Sequence, residues 1–404
     1  MTDIPINDAK KLGLSLSSLN KLDDLAGEYI QSQRLPGLVA LVARRGEVGF
    51  CRAWGQQDHL LGKEMATDSI FRIASMSKLV TSVAAMTLME QGAFGLDDPI
   101  RFYAPELVDL KVLRADSTRE DLRYEKQTEE IRFHHLLNHT AGFAYDFTAN
   151  YPLRPLYESA HMFAPELTLE QMVERLWKLP LNFQPGQGHR YGASTDVLGY
   201  MIAKLSGKSF RDYLRENVFQ PLEMGDTDFI VSADHVSRFA ALYKLDEQRK
   251  FIQVQSAAES PLVNKKRLHS GGGGLASTVI DYYRFCQMLL NGGEWQGRRL
   301  LKRETVTWML NNRLDEHFLP LNINFGPYYD FTGYGQGYGV KVLQQAQATN
   351  PSLPGEYGWV GGFGTYFFVD PQQELIAILY SHLFPFSVYP LEKAFKKIVY
   401  DALA

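Results

Sequence analysis

The feature that most constrains the fold is a helical stretch over residues 75–91 that is apolar on nearly every side. Its apolar residues occupy all faces of the helix, and they include Leu79, Val80, Val83, Ala84, Met86 and Leu88. A helix without a polar face is stable only where other elements cover it completely. The chain has 404 residues, of which 45% are hydrophobic, so it can supply such a core. We therefore predict a globular protein of one or two domains around this buried helix.

Patterns typical of strands lie near both ends of the chain, and patterns typical of helices lie between them. Apolar runs over 38–43 and 48–53 flank a turn that contains Gly46, which predicts a hairpin. Further strands are predicted over 69–73, 337–342, 365–369 and 374–380, and helices over 19–33, 133–138, 169–179, 196–206, 210–218, 278–291 and 391–403. The simplest architecture is an α+β fold whose sheet is built from both chain ends and covered by helices. We predict one domain from residues 1–85 and 245–404, a mostly helical domain from residues 86–244, and an active site in the cleft between them.

The composition argues against several classes of protein. The net charge is -4 and the basic residues are scattered, so nothing favours nucleic acid as a partner. No apolar run approaches the ~20 residues of a membrane span, and no secretory signal is visible at the N-terminus. Cys51 and Cys286 lie in apolar stretches and are predicted to be buried free thiols. We expect a cytoplasmic protein that binds neither nucleic acid nor membranes, and the sequence does not predict its oligomeric state.

Ser75 and Lys78 open the buried helix and lie three residues apart. Residues at i and i+3 share one helix face, so the Lys78 amine can reach the Ser75 hydroxyl. A serine is a weak nucleophile until a base takes its proton, and a lysine can be that base only when it is neutral, which desolvation favours. The N–H groups at the helix start would stabilise an oxyanion on the substrate. The spacing alone does not decide, because Ser18 and Lys21 repeat it at the front of an amphipathic helix, where we predict a cap and a surface lysine.

Two further elements are candidates for the same site. Tyr191 lies in a Gly-rich loop just before a predicted helix, where its hydroxyl can enter a cleft and relay protons beside a lysine. From these residues alone, the favoured interpretation of Tyr191 is that it is one of 21 tyrosines and packs a loop. Residues 358–365 place glycines at a strand edge, where a substrate can approach the backbone and an N–H group can complete an oxyanion hole. The same residues also suit a plain hairpin turn.

Together, and in this order, these elements resemble the serine β-lactamase and penicillin-binding-protein superfamily. The signature of that superfamily is S-x-x-K, then Y-x-N or a variant, then K-T-G or W-G-G. The match is closest to its carboxylesterase branch, the family VIII esterases, which are similar to class C β-lactamases. Residues 135–143, 271–277, 281–293 and 365–371 agree with the same group, so the resemblance spans almost the whole chain. It implies a β-lactamase/transpeptidase-like fold, in which helices flank an antiparallel sheet and a mostly helical domain is inserted.

The resemblance also implies a role for each motif residue. Ser75 is the nucleophile that accepts the acyl group, and Lys78 and Tyr191 are the proton-transfer pair. The N–H groups of Ser75 and Gly362 form the oxyanion hole. The residues expected to line the substrate pocket are Tyr145, Phe147, Trp359, Gly361 and Phe363.

Two residues depart from the superfamily pattern. Ala193 replaces the Asn of Y-x-N, which removes an amide that would bind a substrate amide. Trp359 replaces the lysine of K-T-G, so an apolar surface stands where a cation would hold a substrate carboxylate. Both changes favour a serine hydrolase of small carboxylic esters that works through an acyl-enzyme. The alternatives are β-lactamase or D-Ala peptidase-like activity, acyl transfer, and a sensor that is acylated without turnover.

Other enzyme classes lack their motifs in this chain. No G-x-S-x-G elbow is present, and residues 202–209 lack the first glycine of a P-loop. His135 and His139 lie four residues apart on a predicted helix, but no H-E-x-x-H pattern and no third zinc ligand is apparent. We therefore interpret these histidines as structural and expect neither a metal nor a cofactor.

Overall fold

The chain builds its main sheet from strands near its two ends. A computed structural model describes residues 5–108, 110–321 and 323–403. In these residues the α-helices are α1 (Leu16–Leu19), α2 (Lys21–Gln31), α3 (Ser77–Glu90), α4 (Phe133–Leu137), α5 (Arg154–Ser159), α6 (Leu169–Leu176), α7 (Ser194–Ser206), α8 (Phe210–Leu214), α9 (Val279–Leu290), α10 (Arg303–Met309) and α11 (Leu391–Asp401). The strands are β1 (Gly37–Arg44), β2 (Glu47–Asp58), β3 (Lys63–Glu64), β4 (Phe71–Arg72), β5 (Lys111–Leu113), β6 (Tyr124–Lys126), β7 (Leu242–Leu245), β8 (Phe251–Gln255), β9 (Ala276–Ser277), β10 (Glu294–Trp295), β11 (Arg298–Arg299), β12 (Tyr334–Gln336), β13 (Lys341–Leu343), β14 (Tyr357–Gly361), β15 (Thr365–Asp370), β16 (Leu375–Ser381) and β17 (Leu383–Phe384).

The main sheet has the strand order β12-β13-β14-β15-β16-β1-β2-β3, and its neighbouring strands are antiparallel. β1 lies between β2 and β16, so it joins the two ends of the chain in one sheet. All eight residues of β1 are buried, because both of its faces are covered. Alternate side chains enter two different cores: Val39 and Leu41 on one face, Ala40 and Val42 on the other. A strand covered on both faces is apolar throughout, which is the pattern that the sequence showed.

Helices cover the two faces of this sheet. α9 packs against β1 and β16 on one face, while α2 and α11 pack against strands on the other. Cys51 and Cys286 are buried free thiols, as predicted. In the part of the chain that the structure describes, no helix combines the length and apolar character needed to cross a membrane.

The helix α3 is buried along most of its length, as its apolar pattern predicted. Every residue from Ser77 to Leu88 is buried, and the helix packs against α7 and α8. A short 3-10 turn, Ala74–Met76, precedes it. The predicted boundary between residues 85 and 86 falls inside α3, and the division into two domains stays a prediction.

The predicted strand over 337–342 is wrong. The structure has two shorter strands there, β12 and β13, with residues 337–340 as the turn between them. Gly339 has a φ of +86°, and a Cβ on it would lie 2.9 Å from the Lys78 carbonyl oxygen. The glycine therefore lets the turn pack against the backbone of α3. Two other elements are shorter than predicted: the helix predicted over 169–179 ends at Leu176, and only Phe71–Arg72 is a strand within 69–73.

Candidate active site

The structure brings together the predicted serine and lysine. Lys78 Nζ donates a hydrogen bond to Ser75 Oγ over 3.2 Å. Ser75 is half-buried in the 3-10 turn, and Lys78 is only 1% exposed in the first turn of α3. Ala74 just before them has a φ of +42°, an unusual conformation for a residue with a side chain, and such strain often marks functional sites. The nucleophile candidate therefore borders the cleft while its partner lies inside.

The Lys78 amine is held by three further groups. Nζ donates a second hydrogen bond to the Gly272 carbonyl oxygen over 2.6 Å. It also lies 4.6 Å from the centre of the Tyr191 ring and 5.1 Å from that of Tyr145. Aromatic faces attract a cation, whereas burial disfavours it. These contacts fix the direction of the amine towards Ser75 Oγ.

The glycine run 271–274 is required sterically. A Cβ on Gly272 would lie 2.5 Å from Tyr145 Oη and 2.6 Å from Asp196 Oδ2. A Cβ on Gly271 would lie 2.5 Å from the Thr195 carbonyl oxygen. Only glycine lets this loop pass close enough for the Gly272 carbonyl to accept from Lys78.

Gly272→Ala should therefore impair the site more than its size suggests. The new methyl group forces the loop away from Tyr145 and Asp196, and the carbonyl that orients Lys78 moves with it. We expect kcat for an ester substrate to fall about 100-fold, the usual cost of a misplaced catalytic group. Gly273→Ala is the matched control, because its Cβ would meet no heavy atom closer than 3.7 Å. Equal kcat values for the two variants would contradict this role of the loop.

The sequence prediction missed Asp196, which lies at the back of the site. Its carboxylate accepts hydrogen bonds from Ser270 Oγ over 2.5 Å, from Gly272 N over 3.1 Å and from Tyr145 Oη over 3.4 Å. Burial raises its pKa, and the Lys78 ammonium acts in the opposite direction. The signal in the sequence was a carboxylate within the otherwise apolar helix α7, whose residues from Ser194 to Ile202 are all buried.

Tyr191 lies beside Lys78, but its hydroxyl is turned to another partner. Trp359 Nε1 donates to Tyr191 Oη over 3.4 Å. Within the described residues, the Tyr191 hydroxyl makes no hydrogen bond to Ser75 or Lys78. The structure thus brings the predicted phenol ring to the lysine and leaves its role in proton transfer a prediction.

The third predicted element is a hairpin whose edge packs against the start of the serine turn. β14 ends at Gly361, and residues 362–364 connect it to β15. A Cβ on Gly361 would lie 2.4 Å from the Ile73 carbonyl oxygen, two residues before Ser75. Gly362 borders open space, and its N–H group has no hydrogen-bond partner in the described part of the chain. That N–H group is free to bind an oxyanion, and the oxyanion role of Gly362 and Ser75 stays a prediction.

Of the predicted pocket residues, Tyr145 and Trp359 are buried against Tyr191 at ring distances of 5.6 and 5.4 Å. Phe147 is exposed and stacks on Tyr145 at 5.3 Å. Phe363 belongs to a different aromatic group, with its ring 5.8 Å from that of Phe384. Their contact with substrate stays a prediction.

The sequence prediction also missed two phenylalanines beside this site. The Phe325 ring lies 5.3 Å from Tyr191 and 5.9 Å from Trp359, and the Phe331 ring lies 6.0 Å from Trp359. They come from a loop far along the chain from Tyr191. The only sequence signal was the density of aromatic residues over 325–331.

These observations define the class of protein: an α+β fold with a serine–lysine pair at the start of its buried helix. The sequence profile of the Beta-lactamase family matches residues 22–398, which is most of the chain. The chain therefore belongs to the Beta-lactamase family.

Named relatives agree with this assignment. Protein Rv1367c of Mycobacterium tuberculosis is 34% identical over 356 residues, covering 87% of this chain and 86% of its own. Esterase EstB of Burkholderia gladioli is 29% identical over 391 residues, covering 92% of each chain. The solved structure of EstCE1, described as a hydrolase with promiscuous acyltransferase activity, is 27% identical, has a TM-score of 0.77 and covers 96% of this chain and 98% of its own. The predicted fold and the resemblance to β-lactamase-like esterases are confirmed.

Proposed function

We propose that this protein is a serine hydrolase that cleaves small carboxylic esters through an acyl-enzyme on Ser75. The observation that carries the proposal is the 3.2 Å hydrogen bond between Lys78 Nζ and Ser75 Oγ at the start of a buried helix. The similarity to proteins named as an esterase and a hydrolase supports the same reaction class.

The acylation step requires the neutral form of Lys78, in which Nζ accepts the hydrogen bond from Ser75 Oγ instead of donating it. Ser75 Oγ then attacks the ester carbonyl carbon while the Lys78 amine takes its proton. The carbonyl oxygen becomes an oxyanion, which the N–H groups of Ser75 and Gly362 stabilise. When the ester C–O bond breaks, the leaving alkoxide receives a proton through Lys78 and Tyr191. Water then attacks the acyl carbon and gives one proton to this pair. The bond between the acyl carbon and Ser75 Oγ breaks, and Oγ takes that proton, which releases the acid and free Ser75.

The replaced motif residues support esters as the substrates. Ala193 is fully buried and offers no side-chain hydrogen bond to a substrate amide. Trp359 uses its indole N–H on Tyr191 and adds an aromatic wall to the pocket. A neutral acyl or alcohol group fits such a wall better than the carboxylate of a β-lactam.

Acyl transfer to an alcohol is a second candidate. EstCE1 is described as a hydrolase with promiscuous acyltransferase activity, and it shares the fold over nearly the full length. An acyl-enzyme on Ser75 would serve both reactions, since only the final acceptor differs.

The test is the release of nitrophenol from p-nitrophenyl acetate and butyrate by the purified protein. Steady release supports hydrolysis, a single stoichiometric burst indicates an acylated sensor, and no release contradicts the proposal. Added acceptor alcohols that raise the rate and yield a new ester would identify acyl transfer. The cytoplasmic location expected from the sequence stays a prediction.

Phe325→Ala should change the acyl preference of the site. The ring packs against Tyr191 and against Trp359, which we expect to line the acyl pocket, so its removal should open space for longer acyl chains. We expect kcat/KM for p-nitrophenyl octanoate relative to acetate to rise about tenfold, the usual scale of discrimination in an apolar pocket. Phe251→Ala is the control, because this ring contacts His59 and Tyr243, neither of which belongs to the predicted site, and its loss should leave the ratio unchanged. An unchanged ratio in Phe325→Ala would place the acyl group elsewhere.

A further inference from the structure

His139 accepts hydrogen bonds from the backbone on both sides of Tyr191. Its carbonyl oxygen accepts a hydrogen bond from Arg190 N over 2.9 Å. Its ring Nδ1 accepts one from Gly192 N over 3.4 Å, and the ring centre lies 5.1 Å from that of Tyr191. The Tyr191 carbonyl oxygen itself accepts from Thr148 Oγ1 over 2.7 Å. The N–H groups of the residues before and after the tyrosine are thus bound by one residue.

His139 occupies this position at an energetic cost. Its φ of +61° lies in the left-handed region, which few residues with a side chain adopt, although histidine, asparagine and aspartate do so more often than the others. It is 1% exposed, and its Nε2 has no hydrogen-bond partner among the described residues. Since Nδ1 accepts, the ring proton lies on Nε2, where it stays unsatisfied. Buried unsatisfied groups and strained backbones are rare, and they concentrate at functional sites.

The His139 ring is neutral in this setting. Burial lowers its pKa well below the ordinary value, and the positive charge of Lys78 acts in the same direction, followed by His189. A protonated ring would also lose the acceptor that binds Gly192 N. The ring therefore supplies a hydrogen-bond acceptor and packing surface beside Lys78.

We infer that His139 is a positioning residue, which holds the Tyr191 phenol against Lys78 by binding the backbone N–H groups of the two residues that flank the tyrosine. This inference rests on the proposed function, because it assigns His139 a part in the same ester hydrolysis. It replaces the purely structural role that the sequence suggested for this histidine.

Two substitutions separate this role from simple packing. His139→Asn keeps an acceptor, Oδ1, near the place of Nδ1, and asparagine tolerates the positive φ. His139→Gly relieves the backbone strain but removes the acceptor and the ring. His135→Asn is the matched control, since it replaces a buried histidine of the neighbouring helix α4 whose Nδ1 accepts from Arg132 N and not from the backbone around Tyr191.

The experiment measures kcat, KM and the thermal midpoint of these variants with p-nitrophenyl butyrate. We expect His139→Gly to lower kcat about 100-fold with little change in KM, as for a displaced catalytic group. His139→Asn should stay within about fivefold of the native kcat, a small part of that loss, and His135→Asn should match the native protein.

A native kcat in His139→Gly, or an equal loss in a stably folded His139→Asn, would overturn the inference. If His139→Gly does not fold, His139→Leu takes its place, because it fills the space of the ring but offers no acceptor; a native kcat in a folded His139→Leu overturns the inference. The native protein is assayed first: if it releases no nitrophenol, the proposed function fails, whereas an active native protein with an active His139→Gly variant refutes only the role of His139.

Discussion

Ser75→Ala should abolish the turnover of p-nitrophenyl butyrate, with kcat lower by at least about 10⁴-fold, the scale of losing a catalytic nucleophile. The substitution removes the oxygen that forms the acyl bond. Among the described residues, no other hydroxyl is hydrogen-bonded to the Lys78 amine. The fold should persist, because Ser75 is half-buried and Lys78 keeps its 2.6 Å hydrogen bond to the Gly272 carbonyl. The measurements are steady-state kinetics and a thermal melt of both proteins.

Ser18→Ala is the natural control for this prediction. Ser18 and Lys21 have the same spacing as Ser75 and Lys78, but Ser18 lies in the short helix α1 and Lys21 is the first residue of α2. Ser18 contributes its N–H to a hydrogen bond with Ser15 Oγ and Lys21 is exposed, so neither should affect catalysis. Residual turnover in Ser75→Ala equal to that of Ser18→Ala would refute the assignment of the nucleophile.

Lys78→Arg should lower kcat/KM by several powers of ten, although it retains the positive charge. The arginine side chain cannot be deprotonated in a protein, so it cannot accept the proton of Ser75. Lys78→Ala should be as inactive, and it should also be less stable, because the Gly272 carbonyl loses its buried donor. Kinetics over a range of pH, with a thermal melt for each variant, measure both effects. Full activity in Lys78→Arg would show that the charge suffices and that Lys78 is not the base.

Tyr191→Phe tests the second member of the proton-transfer pair. It keeps the ring that packs between Lys78 and Trp359 and removes only the hydroxyl, so the packing should change little. We expect a loss of several powers of ten in kcat with the same substrate. A native kcat would leave Lys78 as the only proton carrier.

The Ser75–Lys78 pair could be predicted because both its spacing and its burial are local properties of one helix. Residues three positions apart on a helix share a face, and the apolar run that follows shows that this face lies inside the protein. The strands β1, β15 and β16 could be predicted for a similar reason, since a strand buried on both faces is typically a nearly continuous apolar run.

Other parts of the site depend on contacts between distant segments, which no local pattern shows. Asp196 meets Gly272 and Tyr145 only because α7 and the glycine loop fold together. Phe325 reaches Tyr191 from more than a hundred residues away. The wrong prediction of a strand over 337–342 has the same cause. Gly339 is needed for close packing against α3, and the residues next to it in the sequence give no sign of that contact.

A covalent acyl group should form on Ser75 Oγ, and mass spectrometry of the quenched reaction tests this most directly. The protein is mixed with p-nitrophenyl butyrate or a fluorophosphonate, quenched in acid, digested and mapped. We expect one stoichiometric adduct, on the peptide that contains Ser75, and no adduct in Ser75→Ala. An adduct on any other residue, or steady turnover by Ser75→Ala without one, would contradict it.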